Sequence, residues 1–130
     1  MTATGDEFAG SLSEREAQVL RFMLSADDPR LTPLRGQAEV ATVVGRCDCG
    51  CATIELAVDR GRSARAPGLC SPVSEAKTPI RKGFDWAQYR ELILFLDDGW
   101  LLSLEIIFYC DEPPKEFPRT EEFEPPIIQC

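Results

Sequence analysis

The chain has 130 residues, of which 44% are hydrophobic and 28% are charged, so its size and composition are those of one folded domain. Its net charge of −8 argues against nucleic-acid binding, which needs a basic surface. No apolar run approaches the roughly 20 residues of a membrane span, and the N-terminus lacks the basic and apolar stretches of a signal peptide. We therefore expect a cytoplasmic protein that binds neither nucleic acid nor membrane.

The N-terminal part predicts a flexible leader over residues 1–10 and then a helix over residues 13–26. Ser13 and Glu16 have the spacing of a capping box, in which each residue satisfies a backbone N–H of the other. Pro29 ends the helix, because the residue before a proline is pushed out of the helical region. The apolar face of this helix consists of Val19, Leu20, Phe22, Met23 and Ala26.

Two strands are predicted next, at residues 39–45 and 53–58, because the first is rich in valine and the second alternates in polarity. The cysteine-rich run between them is the expected reversal, with Gly50 able to take a positive φ. After a long loop, residues 73–79 predict a short edge strand.

The strongest β signal is a hairpin over residues 89–109, in which Asp97-Asp98-Gly99 supplies the turn. We expect this turn to be exposed and Leu101 to lie on the face opposite the core. The side chains expected in the core are Leu94, Leu102, Leu104 and Ile106. Aromatic residues around the hairpin favour cross-strand packing over a ligand surface; they are Trp86, Tyr89, Trp100 and Tyr109.

The C-terminal residues 111–130 are rich in proline and glutamate, which is typical of an extended, mobile tail. Residues 11–110 are then one α+β domain, in which the N-terminal helix covers a small antiparallel sheet of about four strands through Leu20 and Met23.

Three of the six cysteines, Cys47, Cys49 and Cys51, lie within five residues. With Cys70 as a fourth ligand, or Cys110 if the fold brings it near, they could hold zinc, which prefers four thiolate or imidazole ligands at structural sites. A disulfide or redox thiol and a tight turn without chemistry are the alternatives, and the turn at Gly50 is expected to rotate Cys51 away from the other two. The chain has no histidine, the usual base for a catalytic cysteine, and we expect no enzymatic activity.

Charge is distributed unevenly, with six bases against two acids in residues 59–82 and six acids against two bases in residues 111–130. An acidic surface steers a basic partner toward it and excludes wrong partners. This favours a non-enzymatic protein that binds a basic protein, as immunity proteins bind basic toxins; the alternative is a basic loop and an acidic tail that are each only solvated. The residues expected to make this contact are Glu112, Glu116, Glu121, Glu122 and Glu124.

Three segments, the run at residues 45–51, the turn at residues 97–99 and the stretch at residues 104–114, resemble those of small uncharacterised actinobacterial proteins. Those proteins have a C-x-C-G-C turn and an L-E-x-x-x-Y-x-D-E-P-P ending. The resemblance spans roughly residues 13–118, and Ala52 replaces the proline usual after the third cysteine. It implies a similar fold and no particular function.

Overall fold

A computed structural model describes residues 10–130 of the chain. Its main element is a seven-stranded antiparallel sheet with the strand order β1-β2-β3-β6-β5-β4-β7. The predicted leader lies outside the described residues except for Gly10, which belongs to β1. The strands and α-helices in chain order are β1 (Gly10–Ser11), α1 (Glu14–Met23), α2 (Thr32–Glu39), β2 (Ala41–Arg46), β3 (Ile54–Val58), β4 (Ser74–Lys77), β5 (Arg90–Asp97), β6 (Trp100–Phe108) and β7 (Ile127–Ile128).

The expected fold, a helix on a sheet of about four strands, is wrong, because the described chain is mostly β with seven strands and two short helices. The two strands missed entirely are β1 and β7, each of which has two residues and is too short to show alternation. The predicted edge strand at β4 is also wrong, since β4 is paired on one side with β5 and on the other with β7.

Helix α1 begins as predicted. The Ser13 hydroxyl accepts from the backbone N–H of Glu16 at 3.1 Å, and the Glu16 carboxylate accepts from the N–H of Ser13 at 2.8 Å. Leu20 and Met23 are buried in the core, with α1 against β4 and α2 against β6. No helix in residues 10–130 has the length and apolar character needed to cross a membrane.

The β5–β6 hairpin is present, but its register contains a bulge that the sequence does not predict. Leu101 pairs with Leu96 and Ser103 pairs with Phe95, so Leu102 has no partner across the ladder. Such a bulge reverses the alternation of side chains on one strand. The predicted positions of Leu101 and Leu102 are therefore wrong, since Leu101 is 3% exposed and Leu102 is 45% exposed.

The hairpin turn is covered on one side, contrary to the prediction that it is exposed. Asp98 (φ 49°) and Gly99 (φ 82°) both have the positive φ of a type I′ turn. Asp98 is exposed, whereas Gly99 is buried beneath the preceding long loop, and a Cβ on Gly99 would lie 2.5 Å from the carbonyl oxygen of Ala66. This close approach requires glycine.

Gln37 of α2 is completely buried and holds the hairpin turn in place through hydrogen bonds. Its Nε2 donates to the carbonyl oxygens of Ala64 and Gly99, each at 2.9 Å. Its Oε1 accepts from the backbone N–H of Leu101, also at 2.9 Å. One side chain thus joins the second helix, the long loop and the hairpin.

The C-terminal segment packs on the domain and is not the mobile tail that its composition predicts. Phe117 and Phe123 are 1% and 8% exposed, and both belong to the core. β7 extends the sheet, and Cys130 is disulfide-bonded to Cys70 in the long loop. Apolar side chains spaced between the prolines therefore determine the position of the segment, even though the prolines prevent regular structure within it.

Candidate metal centre

The reversal between β2 and β3 is a tight turn that carries three thiols. The backbone N–H of Cys47 donates to the carbonyl oxygen of Thr53 at 3.3 Å, and that of Gly50 donates to the carbonyl oxygen of Cys47 at 3.0 Å. Gly50 has a φ of 87°, as the sequence predicts. The cysteine run is therefore curled, so the alternation of an extended strand does not decide where its side chains point.

This curl brings the three sulfur atoms of Cys47, Cys49 and Cys51 within 4.8 Å of one another. The Sγ atoms of Cys47 and Cys49 are 3.1 Å apart. The expectation that the turn rotates Cys51 away is therefore wrong. Cys47 and Cys49 are exposed and Cys51 is half-buried, so the group opens to solvent at its outer side.

The thiols of this group differ in acidity. The hydrogen bond with Cys47 is the main reason that the pKa of Cys49 rises to about 11. Burial, the largest single influence on Cys51, raises its pKa, but it is outweighed by hydrogen bonds from the hydroxyl and backbone N–H of Thr53 and from the other two thiols. The net effect is a lowered pKa for Cys51. Cys51 is consequently better prepared than Cys49 to be a thiolate, the form that binds metal.

The base of the turn is anchored to the fold on two sides. The Arg46 guanidinium pairs with the buried Glu16 carboxylate of α1 at 2.9 Å. The Thr53 hydroxyl oxygen accepts from the backbone N–H of Ile106 in β6 at 3.0 Å, and Ala52 between the turn and β3 is buried. The thiols thus project from a fixed base.

The predicted fourth ligand does not join the group, because the sulfur of Cys70 is bonded to that of Cys130. Cys110 is a free thiol, and it donates to the carbonyl oxygen of Glu112 at 3.1 Å. In residues 10–130, the group that could hold a metal comprises Cys47, Cys49 and Cys51, without an aspartate or glutamate. A bound ion would have three protein ligands and one open position.

The five glutamates predicted to contact a partner are all exposed, but they lie on a segment that is held in place. Glu116 is 3.5 Å from the Arg15 guanidinium, and Glu122 accepts from the backbone N–H of Arg119 at 3.3 Å. Glu121 and Glu122 line one groove together with basic residues of the 78–90 stretch. The sequence shows the basic residues of 59–82 and the acidic residues of 111–130 as separate segments, and it does not predict that members of both line one groove.

Comparisons with protein-family models, with characterised proteins and with solved structures find no match for this chain. The resemblance to small actinobacterial proteins therefore stays a prediction.

Proposed function

We propose that the protein binds one soft metal ion, such as zinc, through Cys47, Cys49 and Cys51. The observation that carries this proposal is the approach of three sulfur atoms to within 4.8 Å of one another on an anchored turn. Thiolates bind soft ions such as zinc and Cu(I) in preference to harder cations such as Mg²⁺ and Ca²⁺.

The site is open, which points to an accessible ion rather than a structural one. Structural zinc is usually enclosed by four protein ligands, whereas sites with three protein ligands leave a position for water or another molecule. Here two of the three thiols are exposed, and only Cys51 packs against the hydrophobic core. We therefore expect the fold to persist without the ion and the ion to exchange readily.

The test uses the full chain, purified reduced and then titrated with zinc, with binding followed as protection of thiols from a thiol reagent and by metal analysis. One equivalent should protect three thiols. Cys49→Ser should weaken binding by at least tenfold, whereas the matched control Cys110→Ser, which removes a free cysteine outside the group, should leave it unchanged. Equal affinity in the two variants, or no binding by the reduced wild type, would contradict the proposal.

A thiol-redox role uses the same cysteines in a different way. The 3.1 Å separation of the Cys47 and Cys49 sulfurs favours a disulfide between them, formed when an oxidant such as oxidised glutathione removes two electrons and two protons. Peptide mapping after that treatment distinguishes the roles. A Cys47–Cys49 disulfide, together with an absence of zinc binding by the reduced chain, would favour redox over metal chemistry.

A second candidate function is binding of a basic protein partner, in the manner of an immunity protein. Its support is that the acidic segment is exposed yet fixed by the buried rings of Phe117 and Phe123, so little conformational entropy is lost on binding. Capture of a basic protein from the native host should weaken with salt and with the double change Glu121→Gln and Glu122→Gln. The matched change Glu14→Gln and Glu39→Gln alters two exposed acids outside this segment and should have no effect. Equal loss in both variants would mean that only net charge matters.

A further inference from the structure

An aromatic cluster at the start of β5 has an exposed outer surface. Trp86 and Tyr109 are 55% and 60% exposed, and their rings meet edge to face with centroids 6.0 Å apart. Beneath them, Tyr89 is buried and stacks on Tyr109 at 5.7 Å. Exposed aromatic rings grouped in this way are a candidate interaction site, because tryptophan and tyrosine dominate the energetic centres of protein interfaces. Trp100, also predicted to pack, lies apart, with the Arg60 guanidinium 4.6 Å from its ring centroid.

The patch is held rigidly in place. Asp85 caps the short 3₁₀ turn Trp86–Gln88 by accepting from the backbone N–H of Ala87 at 3.0 Å. The Arg90 guanidinium donates to the carbonyl oxygens of Ala87 and Tyr89 at 2.9 Å and 2.8 Å. Binding to a surface that is already ordered loses little conformational entropy.

Beside the patch runs a groove of about 770 Å³ whose lining carries both charge signs, including Asp85 and Arg90. Arg81 and Lys82 come from the loop before β5 and are called the basic wall here, and Glu121 and Glu122 come from the C-terminal segment and are called the acidic wall. Phe84 also lines the groove and packs edge to face on Trp86 of the patch, with ring centroids 5.2 Å apart. None of the four charged side chains of the two walls belongs to an ion pair within residues 10–130. Their charges are thus available to a molecule that enters the groove.

We propose that this surface binds a second copy of the chain, as a two-fold symmetric dimer centred on Trp86 and Tyr109. In such a dimer the same patch meets itself, so each contact occurs twice. A basic wall next to an acidic wall suits this arrangement, because the two-fold axis places Arg81 and Lys82 of one copy against Glu121 and Glu122 of the other. A basic partner, the second candidate function above, would meet repulsion at the basic wall, so the two proposals compete for the acidic wall.

The first test measures sedimentation of the full chain over a range of concentrations. Wild type should form dimers reversibly, and Trp86→Ser should raise the dimer dissociation constant by about thirtyfold or more, the size of a hot-spot effect. Trp86→Phe, which keeps a ring, should retain most of the association. A wild type that stays monomeric at about 1 mM would overturn the proposal, because its association would be weaker than about −4 kcal/mol.

An exchange of charges tests the symmetry itself. One double variant, Arg81→Glu with Lys82→Glu, has two acidic walls, and another, Glu121→Lys with Glu122→Lys, has two basic walls. Neither should dimerise alone, whereas a mixture of the two should form heterodimers, since opposite walls then face each other in both contacts. The control Glu14→Lys with Glu39→Lys has the same change in net charge as the second double variant and should dimerise like wild type.

Each outcome of the charge exchange decides the proposal. Heterodimers from the mixture support the two-fold contact. A mixture that stays monomeric, while wild type dimerises, would show that the dimer uses another surface. Circular dichroism of each variant checks the fold, and these exposed side chains are not in the core.

Discussion

Gln37 is predicted to be a major contributor to the stability of the fold, because it is completely buried and uses both of its amide groups. Gln37→Met keeps the side-chain volume but leaves the backbone N–H of Leu101 without its hydrogen-bond partner. The carbonyl oxygen of Gly99 still accepts from the backbone N–H of Ala66 at 3.0 Å. The main penalty is therefore one orphaned buried donor, about 1–3 kcal/mol, together with the net loss of the other bonds at about 1 kcal/mol each.

Urea denaturation should accordingly show a loss of about 3–5 kcal/mol for Gln37→Met. This is a substantial part of the roughly 5–15 kcal/mol available to a domain. The matched control Gln18→Met changes an exposed glutamine of α1 and should cost less than about 0.5 kcal/mol. A loss below about 1 kcal/mol at Gln37 would mean that the turn is not fastened through this side chain.

Gln37→Glu gives the same prediction a pH dependence. One carboxyl oxygen can still accept from Leu101, but the other faces the carbonyl oxygens of Ala64 and Gly99, which accept only from a protonated acid. Burial and this contact raise the pKa of the new carboxyl in the folded state. The stability of the variant is then greatest below the pKa of the unfolded state and falls as pH rises through the folded pKa. If the stability difference between the variant and wild type is the same at low and at neutral pH, the assigned hydrogen bonds are refuted.

Three further predictions concern the sheet and the thiol turn. Leu101→Ala should cost about 2–5 kcal/mol in urea denaturation and Leu102→Ala less than about 1.5 kcal/mol, and equal costs would contradict the bulge. Burial and then the hydrogen bond with Glu91 raise the pKa of Glu75, so Glu75→Gln should stabilise the protein at neutral pH by up to about 1 kcal/mol. That gain should shrink as pH falls through the folded pKa, and a gain independent of pH would point to another cause. Chelation of metal from the reduced protein should leave the melting temperature nearly unchanged, because the fold is expected to persist without the ion. A large drop in the melting temperature would show that the ion holds the fold together.

The elements that the sequence predicts correctly are those with strong local signals. The capping box of Ser13 and Glu16 places the start of α1, and the Asp98-Gly99 pair places the hairpin turn, because each is decided by residues a few positions apart. Their surroundings are not local. The burial of Gly99 depends on a loop and a helix, and the bulge at Leu102 depends on how two strands align.

The candidate metal centre is only half visible in the sequence. The spacing of Cys47, Cys49 and Cys51 identifies the cluster, but whether the sulfurs converge depends on the backbone angles of the turn around Gly50. The state of Cys70 is not visible at all, because its partner Cys130 is 60 residues away and reaches it only when β7 joins the sheet. Distant pairings of this kind leave no spacing pattern to read.

The two-residue strands β1 and β7 have a consequence for how the protein behaves in a crowded solution. An open strand edge is a template on which other chains can add, and proteins protect such edges by making the outermost strands very short. β7 covers the outer side of β4, pairing Ile128 with Ser74, and the Arg30 guanidinium secures this end by donating to the carbonyl oxygen of Cys130 at 2.7 Å. Loss of β7 would expose the edge of β4 to neighbouring molecules. A chain truncated before β7 is therefore expected to polymerise through its sheet.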